Sequence, residues 1–142
     1  MGLQISCDFP SSKIKFTLDG SNPLTSGTAK INNSPIQVLI DPTNFNNRDV
    51  APAVIVTACA VDSDTLVSEI VTSTYLFPEK INVLSRDNIL PGPGWLNQGG
   101  LYKINYGRDP DIYNNQMYST ELRNGFLSIP TFSLVTDLPS LF

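Results

Sequence analysis

The sequence predicts an all-β sandwich followed by a mostly irregular C-terminal extension that contains one short helix. Three observations lead there. Segments of period-two apolar alternation recur through residues 1–77, turn-forming residues separate them, and no helical period intervenes. From residue 78 the alternation fades, and Gly, Pro, Asn and Tyr dominate.

Residues 3–7 alternate, with Leu3, Ile5 and Cys7 on one face, and Pro10-Ser11-Ser12 then turns the chain. Residues 13–18 form the cleanest strand: Ile14, Phe16 and Leu18 point inward, while Lys13, Lys15 and Thr17 point to water. Asp19-Gly20-Ser21-Asn22-Pro23 ends it. Asp19 accepts backbone N–H groups two residues on, Gly20 tolerates positive φ, and Pro23 stops pairing. A polar loop leads to residues 35–40, with Ile36, Val38 and Ile40 in phase. Residues 41–49 read as an Asn-rich loop, and residues 53–61 as a central strand covered on both sides. Asp62-Ser63-Asp64 is a turn, and residues 67–77 read as one long last strand rich in β-branched residues.

In the extension, Pro91-Gly92-Pro93-Gly94-Trp95 and Asn97-Gln98-Gly99-Gly100 sustain neither a helix nor a central strand and read as connector. One helix is expected at about 119–127, with Ser119 as N-cap and Leu122, Phe126 and Leu127 on one face. Residues 129–135 read as a strand, and Asp137 with Pro139 as a helix start.

Composition excludes several functions. The charge balance is 9 basic against 13 acidic residues, a net −4. No basic stripe exists to neutralise phosphates, so nucleic acid is not an expected partner. The chain has no histidine, which removes imidazole bases, Ser-His-Asp and Cys-His nucleophiles, and most zinc sites. No apolar run approaches the ~20 residues of a membrane helix. Met1-Gly2 runs straight into a strand-like segment without a signal peptide, so the protein either stays inside or is a piece of a longer chain; the stop at Phe142, before a helix begun at Asp137 could complete, favours the second. No catalytic residue is expected, and no cofactor.

Some residues carry a sharper reading beside a plain one. Asp19-Gly20-Ser21-Asn22-Pro23, together with Asp41 or Asp49, could supply oxygens to calcium. That ion wants six to eight, so a hydrogen-bonded turn is the simpler reading. Trp95, Tyr102, Tyr106 and Tyr113 could form a sugar-stacking platform, making a glycan a possible partner. Equally, such aromatics pin a loop onto a sandwich face, since they bury much area at few rotors. Asp109 and Asp111 point the same way on an extended chain, yet nothing nearby would raise one pKa, and a turn with Arg108 as charge partner is the alternative.

The string from Ile14 to Pro23 resembles the "YTTDGSDPT" signature of the chitobiase/β-hexosaminidase C-terminal-type module, a fibronectin-III-like or immunoglobulin-like accessory domain. The likeness continues through Ser34-Pro35-Ile36, Val56-Thr57-Ala58-Cys59-Ala60 and Ser68-Glu69-Ile70-Val71-Thr72-Ser73-Thr74-Tyr75. Further on, Pro93-Gly94-Trp95, Tyr106-Gly107-Arg108-Asp109-Pro110-Asp111-Ile112 and the string from Ser128 to Asp137 resemble the linker and first strand of CotH-type (spore-coat kinase-like) domains. The resemblance implies an accessory module over 1–77, an extension over 78–142, and the start of a CotH-like domain from about 128. It implies an extracellular or cell-surface setting, and, as partners, a CotH-like domain or further copies of the chain.

Three functions follow as expectations: a non-catalytic spacer positioning a CotH-like domain, a structural subunit assembling through sandwich edges, or the front of a CotH-type kinase. In that alignment Ala58 and Ala60 face inward and Cys59 outward, while Cys7 shares the inward face of Ile5. Two free thiols are therefore expected rather than a disulfide.

Overall fold

The computed structural model describes residues 1–83, 91–92, 94–96, 98–99, 102–103, 106–107, 109–136 and 138–141. The chain divides into two compact units: Met1–Asn47 with Ala53–Tyr75, and Arg48–Pro52 with Leu76–Phe142.

The first unit is an all-β sandwich of seven strands: β1 (Gly2–Ile5), β2 (Lys13–Thr17), β3 (Lys30–Asn33), β4 (Ile36–Leu39), β5 (Ala53–Asp62), β6 (Thr65–Leu66) and β7 (Val71–Leu76, which reaches one residue into the second unit). One sheet is the antiparallel pair β1–β4. The other has the order β3-β2-β5-β6, with β7 also on β5.

Register sets the core. In the β2–β5 ladder Ile14 lies opposite Ala60 and Phe16 opposite Ala58, so large residues on one strand face small ones on its neighbour. In β1–β4, Leu3 lies opposite Val38 and Ile5 opposite Ile36, putting those four on one face and Gln4 and Gln37 on the other. Ile14, Phe16, Ile36, Val38 and Ile40 are buried, as the alternation predicts, and so are Val54, Val56 and Ala60 of β5.

The departures have physical causes. The sequence reads β3 as polar loop, because Lys-Ile-Asn-Asn offers one apolar residue. It forms nonetheless as an edge strand with all four residues exposed, where packing demands little of the side chains. The expected long strand over 67–77 is interrupted. Ser68 Oγ accepts from Ala60 N–H at 2.8 Å, taking the place of a ladder carbonyl, and the Ser68 hydroxyl donates to the Glu69 carbonyl. Pairing on β5 therefore resumes as β7, beginning at Val71. Ser63 and Asp64 both hold positive φ, 48° and 68°, the mirror-image turn that suits a two-residue hairpin between β5 and β6.

Both cysteines are free thiols. Cys59 does lie on the face opposite Ala58 and Ala60, cross-strand from Lys15, yet it is only 3% exposed. The segment after β2 supplies cover for the sandwich: Pro23 is fully buried, and Lys15 Nζ donates to the Leu24 carbonyl at 3.4 Å. Burial pushes the Cys59 thiol up from its ordinary value, against the opposing pull of the Lys15 charge.

The second unit contains a two-strand hairpin, β8 (Gln98–Gly99) with β9 (Tyr102–Lys103), where connector alone was expected. Two helices follow, α1 (Pro110–Tyr113) and α2 (Gln116–Ser128). The N-cap of α2 is Asn115, whose side chain accepts from Met117 N–H at 3.0 Å, so the helix starts about a turn before Ser119. Leu122 and Phe126 are half-buried four residues apart, while Leu127 is exposed. Residues 129–135 join no sheet among the described residues. Pro130 lacks a ladder donor, and Ile129 leaves the helix extended at φ −100°, ψ 149°. Asp137 lies outside the described residues, and Leu138–Ser140 is a single 3-10 turn. No helix among the described residues is long and apolar enough to cross a membrane.

Two outcomes follow for the sandwich. Phe16→Ala should cost about 3–5 kcal/mol, because the ring packs where the facing Ala58 cannot fill a void; a melting temperature within two degrees of the parent would contradict the register. In the folded protein a thiol reagent should modify half-buried Cys7 well before Cys59, with both reacting in denaturant without reductant. Equal native rates would show that Cys59 is not covered.

Candidate functional site

Asp19 follows β2 directly, and its place is set from both sides. Residue 19 forms a parallel bridge to Ile55 of β5, and Gly20 N–H donates to the Ile55 carbonyl at 3.2 Å. Gly20 holds φ 80°, which an L side chain would adopt only with strain. Buried Thr17 closes the turn by donating its hydroxyl to the Ser21 carbonyl at 2.7 Å.

The Asp19 carboxylate is the centre of a hydroxyl network. Oδ1 accepts from Ser21 N–H at 3.0 Å and from the Ser21 hydroxyl; Oδ2 accepts from the Thr28 hydroxyl at 2.7 Å. Ser26 Oγ completes the ring, 2.8 Å from both Ser21 Oγ and Thr28 Oγ1. Burial alone would raise this carboxyl, but the bonds from Ser21 and Thr28 outweigh it and hold Asp19 below the ordinary carboxylate value. Beside the turn lies a small open cleft lined by Phe16, Asp19, Thr28, Lys30, Asn46 and Asn47.

Asp41 and Asp49, the residues weighed with Asp19 as calcium ligands, are engaged separately. Asp41 Oδ1 accepts from the N–H and hydroxyl of Thr43, at 2.8 and 2.7 Å. No three acidic, cysteine or histidine side chains converge among the described residues.

In the second unit, Asp49 Oδ2 accepts from Trp95 Nε1 at 2.7 Å. Trp95 and Tyr106 meet edge to face, centroids 5.3 Å apart at 87°, and the Tyr106 hydroxyl donates to the Leu96 carbonyl at 2.8 Å. Val50 N–H donates to the Pro91 carbonyl at 2.6 Å, and a side chain at Gly92 would overlap the Asp49 carboxylate. These contacts tie the segment around Trp95 to residues 48–52, and the perpendicular rings do not make a flat stacking surface. Tyr102 lies in β9 and Tyr113 in α1, with side chains outside the described residues. Asp109 is the N-cap of α1, accepting from Asp111 N–H at 3.0 Å, and Arg108 lies outside the described residues.

The family model described as Fn3 associated matches residues 3–75, just over half of the chain. The chain belongs to the Fn3-associated family. No curated protein and no solved structure matches it. The Fn3-associated match begins in β1 and ends in β7, so it takes in the whole Asp19 network and stops short of Trp95 and Tyr106.

What sequence reasoning missed here is the partner set. Asp19-Gly20-Ser21 announces a turn, but Ser26 and Thr28 look like ordinary loop residues until the chain folds back. Asp49 carries no local signal of its bond to Trp95, 46 residues away.

Because the folded-state pKa of Asp19 is depressed, its contribution to stability is present above the unfolded value, ~3.9, and is lost as pH falls through the folded value. Asp19→Asn should therefore destabilise the protein by about 1–2 kcal/mol at pH 7, discounted for partial exposure. The gap to the parent should close as pH falls through the depressed folded value. Denaturant melts of both proteins at several pH values would show it; a gap independent of pH would mean that the charge is not what matters.

Proposed function

We propose that the chain is a non-catalytic accessory or spacer module of a larger secreted or surface protein, and that its C-terminal segment seats a neighbouring CotH-type domain. Membership of the Fn3-associated family supports the module, and the resemblance of residues 14–75 to chitobiase C-terminal-type modules supports its accessory character. The observation that carries the reading furthest is the irregular segment after α2. Phe132 is 94% exposed there and Leu134 80%. Water contact over two such side chains is unfavourable by about 1.5–3 kcal/mol each, and a neighbouring domain that covers them removes that cost.

The second reading, a structural subunit, has its own observation. β3 closes one side of the larger sheet with four exposed residues and an open row of backbone groups.

Sedimentation velocity separates them. The spacer reading expects a monomer from micromolar to millimolar concentration, with no phosphoryl transfer from ATP by the purified chain. It also expects Phe132→Ser with Leu134→Ser to leave the melting temperature unchanged while abolishing binding to a separately produced CotH-type domain. Concentration-dependent assembly, removed by Ile31→Lys in β3, would replace the spacer with the subunit.

A further inference from the structure

The cleft beside the Asp19 turn serves neither reading above, and its polar groups are unspent. An aspartate carboxylate offers about four acceptor positions, and Ser21 N–H, the Ser21 hydroxyl and the Thr28 hydroxyl occupy three. On Oδ2 the side-chain donor is the Thr28 hydroxyl alone. The ammonium of Lys30 and the side-chain amides of Asn46 and Asn47 make no hydrogen bond within the described residues. Asn47 holds φ at 61°, the left-handed region that asparagine tolerates better than most residues, and this places it at the cleft wall. The cleft volume is about 40 Å³, room for roughly three waters, where one needs about 10–15 Å³.

We propose that this cleft binds the edge of a neutral saccharide presenting two adjacent hydroxyl groups. The groups lining the cleft select that chemistry. A phosphate or carboxylate would face Asp19, whose charge is retained throughout the neutral range. Calcium would find a single carboxylate, with most of its acceptor capacity already taken, beside the Lys30 ammonium. An apolar ligand would strand the amides and the ammonium without partners. A hydroxyl pair meets all of them, because each hydroxyl donates one proton and accepts as well. One hydroxyl donates to Asp19 and accepts from Lys30, and its neighbour exchanges bonds with the Asn47 amide. The hydroxyl ring of Ser21, Ser26 and Thr28 is the supporting layer, fixing the carboxylate before any ligand arrives. The space admits the edge of a pyranose and leaves the rest of the ring in water, so half-saturation on the order of 1 mM is expected. This site is distinct from Trp95 and Tyr106 and does not depend on the spacer reading.

Amide NMR spectra of the full chain, titrated with methyl α-mannopyranoside and with methyl α-glucopyranoside, test the proposal. At least one glycoside should produce saturable shifts confined to residues 17–21, 28–30 and 46–47. Calcium chloride and sodium phosphate, titrated separately, should produce none there. Lys30→Gln and Asn47→Gly should each weaken the binding about fivefold or more. Both residues are exposed, and glycine accepts the positive φ, so both variants should keep the parent spectrum elsewhere. Lys13→Gln, an exposed lysine outside the cleft, should leave the affinity unchanged. No saturable shift with either glycoside, saturation by calcium or phosphate instead, or affinity indifferent to both cleft variants would overturn the proposal.

Discussion

The antiparallel ladder between β2 and β5 governs most of what is described above. Its register places Ile14 and Phe16 against Ala60 and Ala58, and a one-residue slip would send both large side chains to the opposite face. The same parity puts Lys15 beside Cys59 and Thr17 beside Thr57 on the outer side. Thr17 there reaches the Ser21 carbonyl, and the turn after β2 brings Asp19 against Ile55 of the same partner strand. The carboxylate network is thus an extension of the ladder, positioned by the same two strands that make the core.

Much of the sandwich was legible because burial and alternation coincide in β2 and β4, where Ile14, Phe16, Ile36 and Val38 each occupy every second position. The unread parts share a different cause: a polar side chain doing a backbone group's work, or a backbone doing without apolar side chains. β3 has no hydrophobic face to announce it. Ser68 breaks a run of β-branched residues that would otherwise continue as strand. Asn115 captures the start of α2 before Ser119 can. Residues 129–135 have the pattern of a strand but no pairing in the sheets described, which shows that alternation specifies a face and says nothing about a neighbour.

Cys59 joins these two lessons. Its face follows from the alignment with the accessory-module family, in which Ala58 and Ala60 point inward, whereas its exposure depends on what folds over that face, and local sequence does not report it. Covalent chemistry at that thiol is accordingly governed by opening of the structure rather than by its position in the strand. The candidate site divides in the same way: Asp19-Gly20-Ser21 is visible as a word, while Thr28, Lys30 and Asn47 become its neighbours through β3 and a distant loop.

Residues 48–52 belong with the second compact unit although they interrupt the first. Asp49 to Trp95, Val50 to Pro91 and Pro52 to Phe77 are the bonds that bring them there. The border between the units is consequently crossed by the chain three times, and no single cleavage separates them. For anyone transplanting this module, a junction placed after Tyr75 carries five residues of the neighbour along with the sandwich. It also leaves the Trp95 indole N–H without its carboxylate. A clean exchange has to move two stretches of sequence together, and recombination within a gene at one point would produce mismatched halves at Asp49 and Gly92.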